Sequence, residues 1–560
     1  MNKTWLKNYP TGVPAQINPD QYQSLLELID ESCTQFADYD AYTSMGRTIT
    51  YAEYRGLARD FAAWLQTTAG LRRGDRIALM LPNVLQYPIA LYGALLAGLT
   101  IVNTNPLYTA RELEHQLSDS GAKAIVVLEN FAHILQHVVP STAVTTIITT
   151  QVGDQLTWPK SALVNFVLKR VRKQVPHWEL PGSVQFNTAL EQGHYLPLEP
   201  VALNHRDIAF LQYTGGTTGI AKGAMLTHRN MVANVLQSEA WLGTAVRFGK
   251  DVVVTPLPLY HIFGLTANWL VFQKYGAQNI LIANPRDFPA FIKELGKYRF
   301  SFISGVNTLF NALLHSPGFD QVDFSELRLT LGGGMAVQRA VAERWQQVTG
   351  NALTQAWGLT ETSPAVCINP LGQPFNGSIG LPISSTDVTI RDDAGNELAT
   401  GEVGEICVRG PQVMAGYWQR PDETQKTMLP DDWLRTGDIG RIDADGYVFI
   451  EDRKKDMILV SGFNVYPNEV EAVVATTPGV LEVAAVAQPD EHSGEVVAVF
   501  VVRKDPNLTA QQVIDHARTE LTGYKVPKHV YFRDELPKTN VGKILRRALR
   551  DEFKKEAVSG

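Results

Sequence analysis

Residues 213–223 read YTGGTTGIAKG, with the apolar run Ile208–Leu211 before them and a helical pattern after them. A strand, a glycine-rich loop and then a helix is a setting in which backbone amides collect around an anion. Gly215, Gly216 and Gly219 let the backbone approach a ligand closely and adopt positive φ. Thr214, Thr217 and Thr218 supply hydroxyl donors, and Lys222 adds a point charge. Those are the means by which a chain cradles phosphate oxygens. The usual P-loop pattern needs glycine just before the lysine and Ser or Thr just after it. Ala221 and Gly223 stand there instead, so this is a phosphate loop of another kind.

Around this loop the chain has the composition of a globular protein. Its 560 residues are 45% hydrophobic and 19% charged, too apolar for disorder and long enough for roughly three or four packing units. Fifty basic against 57 acidic residues give a net charge of -7, which excludes the basic excess that wrapping nucleic acid requires. The cysteines, Cys33, Cys367 and Cys407, lie too far apart for a disulfide framework or a zinc site, as expected in a reducing compartment. Met1 to Asp20 lacks the apolar core of a signal peptide. The most membrane-like stretch, Tyr87 to Val102, carries Pro88, Gly93 and Gly98 and falls short of a spanning helix. It reads as a buried helix running into a strand.

Short apolar runs at Ile77–Met80, Ala124–Leu128, Thr145–Thr149 and Val252–Thr255 alternate with helical patterns at Gln21–Glu31, Tyr51–Gln66 and Ala110–Ser118. That alternation predicts α/β layers with parallel strands. After about residue 380 the texture changes. Strand patterns at Gly404–Arg409, Gly446–Glu451 and Met457–Val460 lead into helices at Asn468–Thr476 and Ala510–Glu520, with strands at Glu482–Ala487 and Val496–Val502. The fold class expected is α/β, with a large N-terminal domain of layered subdomains (1–454) and a small mobile C-terminal α+β domain (455–560). The charged run Glu451–Asp456, EDRKKD, reads as a solvated linker between them.

Two further segments carry chemistry. In WGLTE, 357–361, Trp357 offers a stacking face, Thr360 a phosphate ligand and Glu361 a carboxylate for Mg2+. In Thr436–Gly437–Asp438 an acid after a tight turn suits ribose hydroxyls, and equally a turn cap.

Taken together, these segments resemble the acyl-adenylate-forming, or AMP-binding, superfamily, which includes acyl-CoA synthetases, peptide-synthetase adenylation domains and luciferases. The motifs stand in the family's order: YTGGTTGIAKG, PLYHIFG (258–264), LGGGM (331–335), WGLTE, GEICVRGPQVMAGYW (404–418), WLRTGD (433–438), DRKKDMILVSGFNVYP (452–467) and PKTNVGKILRR (537–547). The resemblance covers about Asp207 to Arg547, and GDRIALMLPN (74–83) and AGLTIVNTNPLY (97–108) extend it forward. Residues 431–455 resemble the signature stretch of bacterial long-chain fatty-acid-CoA ligases.

The resemblance implies ATP-dependent activation of a long-chain fatty acid, first to acyl-AMP with release of pyrophosphate, then to acyl-CoA with release of AMP, using Mg2+. By motif, Tyr213, Thr214, Gly215, Gly216, Thr217, Thr218, Gly219 and Lys222 would line the triphosphate. Gly334, Met335 and Trp357 would enclose adenine, while Asp438 and Arg453 would hold the ribose. Glu361 and Thr217 would bind the metal, and Thr360 the α-phosphate. Lys543 would be the adenylation lysine, Lys455 the hinge, and Gly462 part of a loop that reaches the thioester site after the small domain turns. His261, Gly264, Gly305 and Val306 would border the acyl group. Two positions depart from the family's habit: Ala221 replaces a proline, and Trp357 a tyrosine.

A medium-chain or aryl-acid CoA ligase on the same scaffold is the competing reading. So is a non-catalytic fatty-acid or nucleotide-binding descendant. The partners expected are fatty acid, ATP and CoA, a second copy in a homodimer, and no nucleic acid. Residues 160–178, KSALVNFVLKRVRKQVPHW, contain no acid and carry Lys160, Lys169, Arg170, Arg172 and Lys173 beside Leu163, Val164, Val167, Leu168, Val171 and Val175. A basic amphipathic helix of this kind suits an anionic membrane surface, and equally a helix whose apolar face packs on the core. The location expected is the cytoplasm, peripheral on the inner face of the inner membrane.

Overall fold

The computed structural model describes residues 3–214, 221–490, 492–539 and 542–559. Seven strands form one sheet in the order Val184–Gln185, Thr146–Thr150, Ala124–Leu128, Arg76–Met80, Thr100–Asn103, Ile208–Thr214 and Lys222–Thr227. All neighbours run parallel except the last pair. Alternation along the strands feeds two cores, as a sheet covered on both faces requires. Ile77, Leu79 and Val126 pack with Phe61 and Leu91, while Ala78, Met80, Ile125 and Val127 pack with Leu113, Leu117 and Leu135.

A nine-stranded sheet, largely parallel, runs through Val252–Thr255, Phe302–Gly305, Leu329–Gly332 and Leu353–Gly358. A five-stranded antiparallel sheet of Asp387–Arg391, Gly404–Arg409, Met428–Leu429, Trp433–Ile442 and Val448–Arg453 follows. The last sheet holds Ile458–Val460, Phe463–Val465, Val480–Asp490, Gly494–Arg503 and His529–Arg533. Helices Pro467–Val474 and Ala510–Glu520 cover one face of it through Val470, Val474, Val513 and Ala517. The terminal helix Arg546–Ser559 covers the other through Leu549 and Phe553.

Four expectations are refined here. The phosphate loop is followed by the strand Lys222–Thr227, and the helix starts only at His228. Thr214 pairs with Lys222, so the two ends of the loop stand side by side. Tyr87–Val102 resolves into the helix Gln86–Leu96, buried at nearly every position, and the strand Thr100–Asn103. The charged run Glu451–Asp456 is not a solvated linker throughout. Its first half completes the strand Val448–Arg453, where alternation turns Asp452 inward to 1% exposure. Residues 160–178 form a short helix, Lys160–Phe166, continued by a wider turn over Val167–Val171, with no buried residue in either. Leu163, Phe166 and Val171 are each more than half exposed, while Val164, Val167 and Leu168 are half-buried, so part of this apolar surface is left uncovered. Among the described residues no helix is long and apolar enough to cross a membrane.

Candidate active site

The large sheets and the C-terminal unit border a cleft of about 2080 Å³. Strand ends and tight turns carry its polar wall. The strand Leu353–Gly358 delivers Trp357, then turns at Gly358. A Cβ at Gly358 would lie 1.7 Å from the Pro364 carbonyl oxygen, so only glycine fits. The turn Thr360–Thr362 then brings Thr360 and Glu361 to the cavity. Gly334, at φ +77°, passes beneath Lys543, whose Cε lies 3.3 Å from where a Cβ would stand.

Lys543 therefore enters the cavity from the C-terminal unit. Its loop is held by the Thr308 hydroxyl donating to the Gly542 carbonyl at 2.9 Å and by the Lys543 amide donating to Thr539 Oγ1 at 3.1 Å. Burial, and next the Arg453 charge, bring the Lys543 ammonium down to about 8, while Asp438 and Glu361 oppose that shift. His261 borders the same space. Burial and the positive Lys543 hold it neutral, down to about 3.

Asp438 is 2% exposed and engaged on both oxygens. The Trp357 indole donates to Oδ2 at 3.0 Å, and Arg453 pairs with Oδ1 at 2.5 Å. Burial raises its carboxyl, and Arg453 and Trp357 oppose the rise. Asp438 and Arg453 face each other across adjacent strands, which fixes this pair by register. Lys455 lies beyond them on the cavity wall, its ammonium brought down to about 8 chiefly by burial.

At the phosphate-loop end, Tyr213, Thr214 and Lys222 line the cavity. The Tyr213 hydroxyl donates to Asp119 at 2.7 Å, which fixes the ring where it borders the cavity. Lys222 pairs with Glu423 at 2.5 Å and lies 4.9 Å above the Tyr417 ring. Gly215, Gly216, Thr217, Thr218 and Gly219 lie outside the described residues.

Met335 joins Gly334, Trp357, Thr360 and Glu361 on the wall. Four other candidates lie off it. Gly264 and Gly305 answer to packing: a Cβ would meet the Pro258 carbonyl oxygen at 2.5 Å and the Phe310 ring at 2.8 Å respectively. Val306 packs beside Gly334 and Gly542. Gly462, at φ +85°, sits at an exposed turn with nothing around its Cβ position.

One stretch of the cavity wall was not legible in the motifs. Asn234, Ser238 and Leu242 line it from the helix His228–Leu242. Their four-residue spacing places them on one face over about 12 Å. Asn234 donates to the Ala365 carbonyl at 2.9 Å, and Trp241 donates to that of Asn369 at 3.2 Å. Val271, Phe272 and Phe302 add apolar surface to the same cavity.

A layered α/β body and a small α+β unit whose lysine enters the cleft they share define a two-part enzyme scaffold. The chain belongs to the AMP-binding enzyme family: the model of that enzyme matches residues 29–418, and that of its C-terminal domain residues 469–543. It is 57% identical over 553 residues to a long-chain-fatty-acid–CoA ligase of Escherichia coli O157:H7, covering 99% of this chain and 98% of that one. A protein of the same description from Haemophilus influenzae is 52% identical over 557 residues, covering 99% of each. Among solved structures, the anthranilate CoA ligase AuaEII in complex with anthranoyl-AMP superposes with a TM-score of 0.86 at 24% identity, over 97% of this chain and all of that one. That likeness concerns the fold.

Proposed function

We propose that the chain converts long-chain fatty acids to acyl-CoA in two steps. The carboxylate oxygen bonds to the α-phosphorus of ATP as the bond to the β-phosphate oxygen breaks and pyrophosphate leaves. The thiolate of CoA then bonds to the acyl carbon as the bond to AMP breaks. The observation that carries this reading is Lys543 reaching over Gly334 into the cavity that also holds Glu361, Trp357 and Asp438. The full-length likeness to long-chain-fatty-acid–CoA ligases supports the substrate class.

In this reading Lys543 lies between carboxylate and α-phosphate and stabilises charge as the phosphorus–oxygen bonds exchange. Trp357, Gly334 and Met335 border adenine, and the Asp438–Arg453 pair meets the ribose. Thr360 and the threonines and glycines of 214–219, with Lys222, take the phosphates. Lys222 then exchanges Glu423 for phosphate oxygen. His261, held neutral, borders the acyl carboxylate without repelling Lys543. The wall along Asn234, Ser238 and Leu242 takes the alkyl chain. Residues 455–560 turn about Lys455 after the first step, withdrawing Lys543 and presenting Gly462 for the second.

Mg2+ fits the donors present. Glu361 offers a carboxylate beside the phosphate end, and Thr217 is its expected partner. Among the described residues no group of three or more His, Cys, Asp or Glu is placed to hold a metal alone. That suits a cation held chiefly by substrate phosphates. When bound, it would neutralise phosphate charge. The test is exchange of labelled pyrophosphate into ATP, which should depend on palmitate or oleate. Exchange without added acid contradicts the reading.

Peripheral contact with a cytoplasmic membrane face through 160–178 belongs to the same proposal. Its support is the exposed Trp158, Leu163, Phe166 and Val171 beside basic residues. Lys169 is tied to Glu129 at 3.1 Å, so it anchors the segment to the body. Changing Arg170, Arg172 and Lys173 to glutamine should therefore remove about 3 kcal/mol of attraction to anionic vesicles, at about 1 kcal/mol per charge. Unchanged sedimentation on such vesicles contradicts this.

A further inference from the structure

We infer that Tyr417 is a positioning residue that aims the Glu361 carboxylate at the catalytic cation. The inference rests on the assignment of Glu361 as a Mg2+ ligand. Its own support is a set of contacts that joins Glu361 to the phosphate-loop lysine through one side chain.

The segment around Tyr417 is built as an added edge on the strand Lys222–Thr227. The Met225 amide donates to the Gly416 carbonyl at 2.9 Å, the Ala415 amide to the Met225 carbonyl at 3.0 Å, and the Trp418 amide to the Gly223 carbonyl at 2.8 Å. Tyr417 pairs with Ala224 across that edge. Its main chain is therefore fixed against the strand that carries Lys222.

From this base the side chain does two things. Its hydroxyl donates to Glu361 Oε1 at 2.7 Å, while the Met414 amide donates to the Glu361 carbonyl at 2.8 Å. The carboxylate and its own backbone are thus held by the same segment. The ring lies beneath the Lys222 ammonium, 4.9 Å from its centroid. Tyr417 is 7% exposed. A donor on one carboxylate oxygen fixes the plane of the group and leaves the second oxygen for a cation, as partners of metal ligands do.

Tyr417→Phe tests this because it keeps the ring, the edge strand and the face beneath Lys222, and removes only the donor. The expected result is an apparent Mg2+ requirement raised about 10–100-fold, read two ways. One is the Mg2+ titration of pyrophosphate exchange. The other is calorimetry of ATP binding with Mg2+ and in EDTA, where only the Mg2+ arm should weaken. Equal weakening in both arms, or a large fall in melting temperature, would mark a merely structural residue and overturn the inference. An unchanged Mg2+ titration beside a Glu361→Gln variant that loses its Mg2+ response overturns the role of Tyr417 alone. If Glu361→Gln keeps the wild-type Mg2+ response, the metal assignment fails and the inference with it.

Discussion

Replacing Lys543 with alanine is expected to slow acyl-adenylate formation about 10²–10³-fold, the scale on which removing one preorganised charge-stabilising donor acts. Thioester formation from supplied acyl-AMP and CoA should stay near the wild-type rate. The asymmetry follows from position. Lys543 is the cation that the C-terminal unit carries to the Gly334 end of the cavity, and the second step is proposed to run with that unit turned away. The same residue sets a pH dependence. Its ammonium is brought down to about 8, and the charged form is the useful one, so kcat/KM for pyrophosphate exchange should fall as pH rises through about 8. Bound phosphates favour the ammonium, so the corresponding limb in kcat should lie at higher pH. Lys543→Arg should abolish the limb. Equal loss of both half-reactions in Lys543→Ala would contradict the assignment.

Replacing Arg546 with methionine should destabilise the C-terminal unit by about 3–5 kcal/mol, the cost of leaving buried charges without their partner. The Arg546 guanidinium meets Glu471 at 2.7 and 2.9 Å and Asn468 at 2.6 Å. It also lies 3.5 Å from Asp452 and 3.8 Å from Asp456. Burial already raises the Asp452 carboxyl to about 6, with Arg546 the main opposing influence. Without the guanidinium the acids take up protons more readily, so the loss should be larger at pH 8 than near pH 5.5. Hydrogen exchange in the strand Gly494–Arg503 reads the effect directly. Exchange unchanged at both pH values would show that the cluster contributes little.

The sequence was legible where local pattern decides structure. Ala124–Leu128, Val252–Thr255 and Ala510–Glu520 have the boundaries that their apolar runs and flanking residues indicate. The first helix begins at Leu25, later than its apolar pattern, because the Ser24 hydroxyl accepts from the Glu27 amide and ends the preceding turn. That cap was readable from the Ser-x-x-Glu spacing. Where partners are distant, the pattern carries nothing. Asp452 reads as part of a solvated run because Arg546 is 94 residues away in sequence, and Tyr417 stands within a motif whose meaning depends on Glu361, 56 residues before it. Gly264 and Gly305 read as bordering the acyl group, and the space at each is also filled by a near neighbour in sequence, the Pro258 carbonyl and the Phe310 ring. The cavity wall along Asn234, Ser238 and Leu242 has helical spacing, but three residues spaced by four do not reveal whether they face a core or a cavity.

The most direct test of the account supplies the full chain with Mg-ATP and CoA and varies the acid among acetate, octanoate, palmitate, oleate and coumarate. AMP and pyrophosphate, with acyl-CoA, formed in strong preference with palmitate and oleate is the result the account predicts. The same products only with octanoate or coumarate would keep the mechanism and refute the long-chain assignment. ADP as the nucleotide product would contradict the acyl-adenylate mechanism itself.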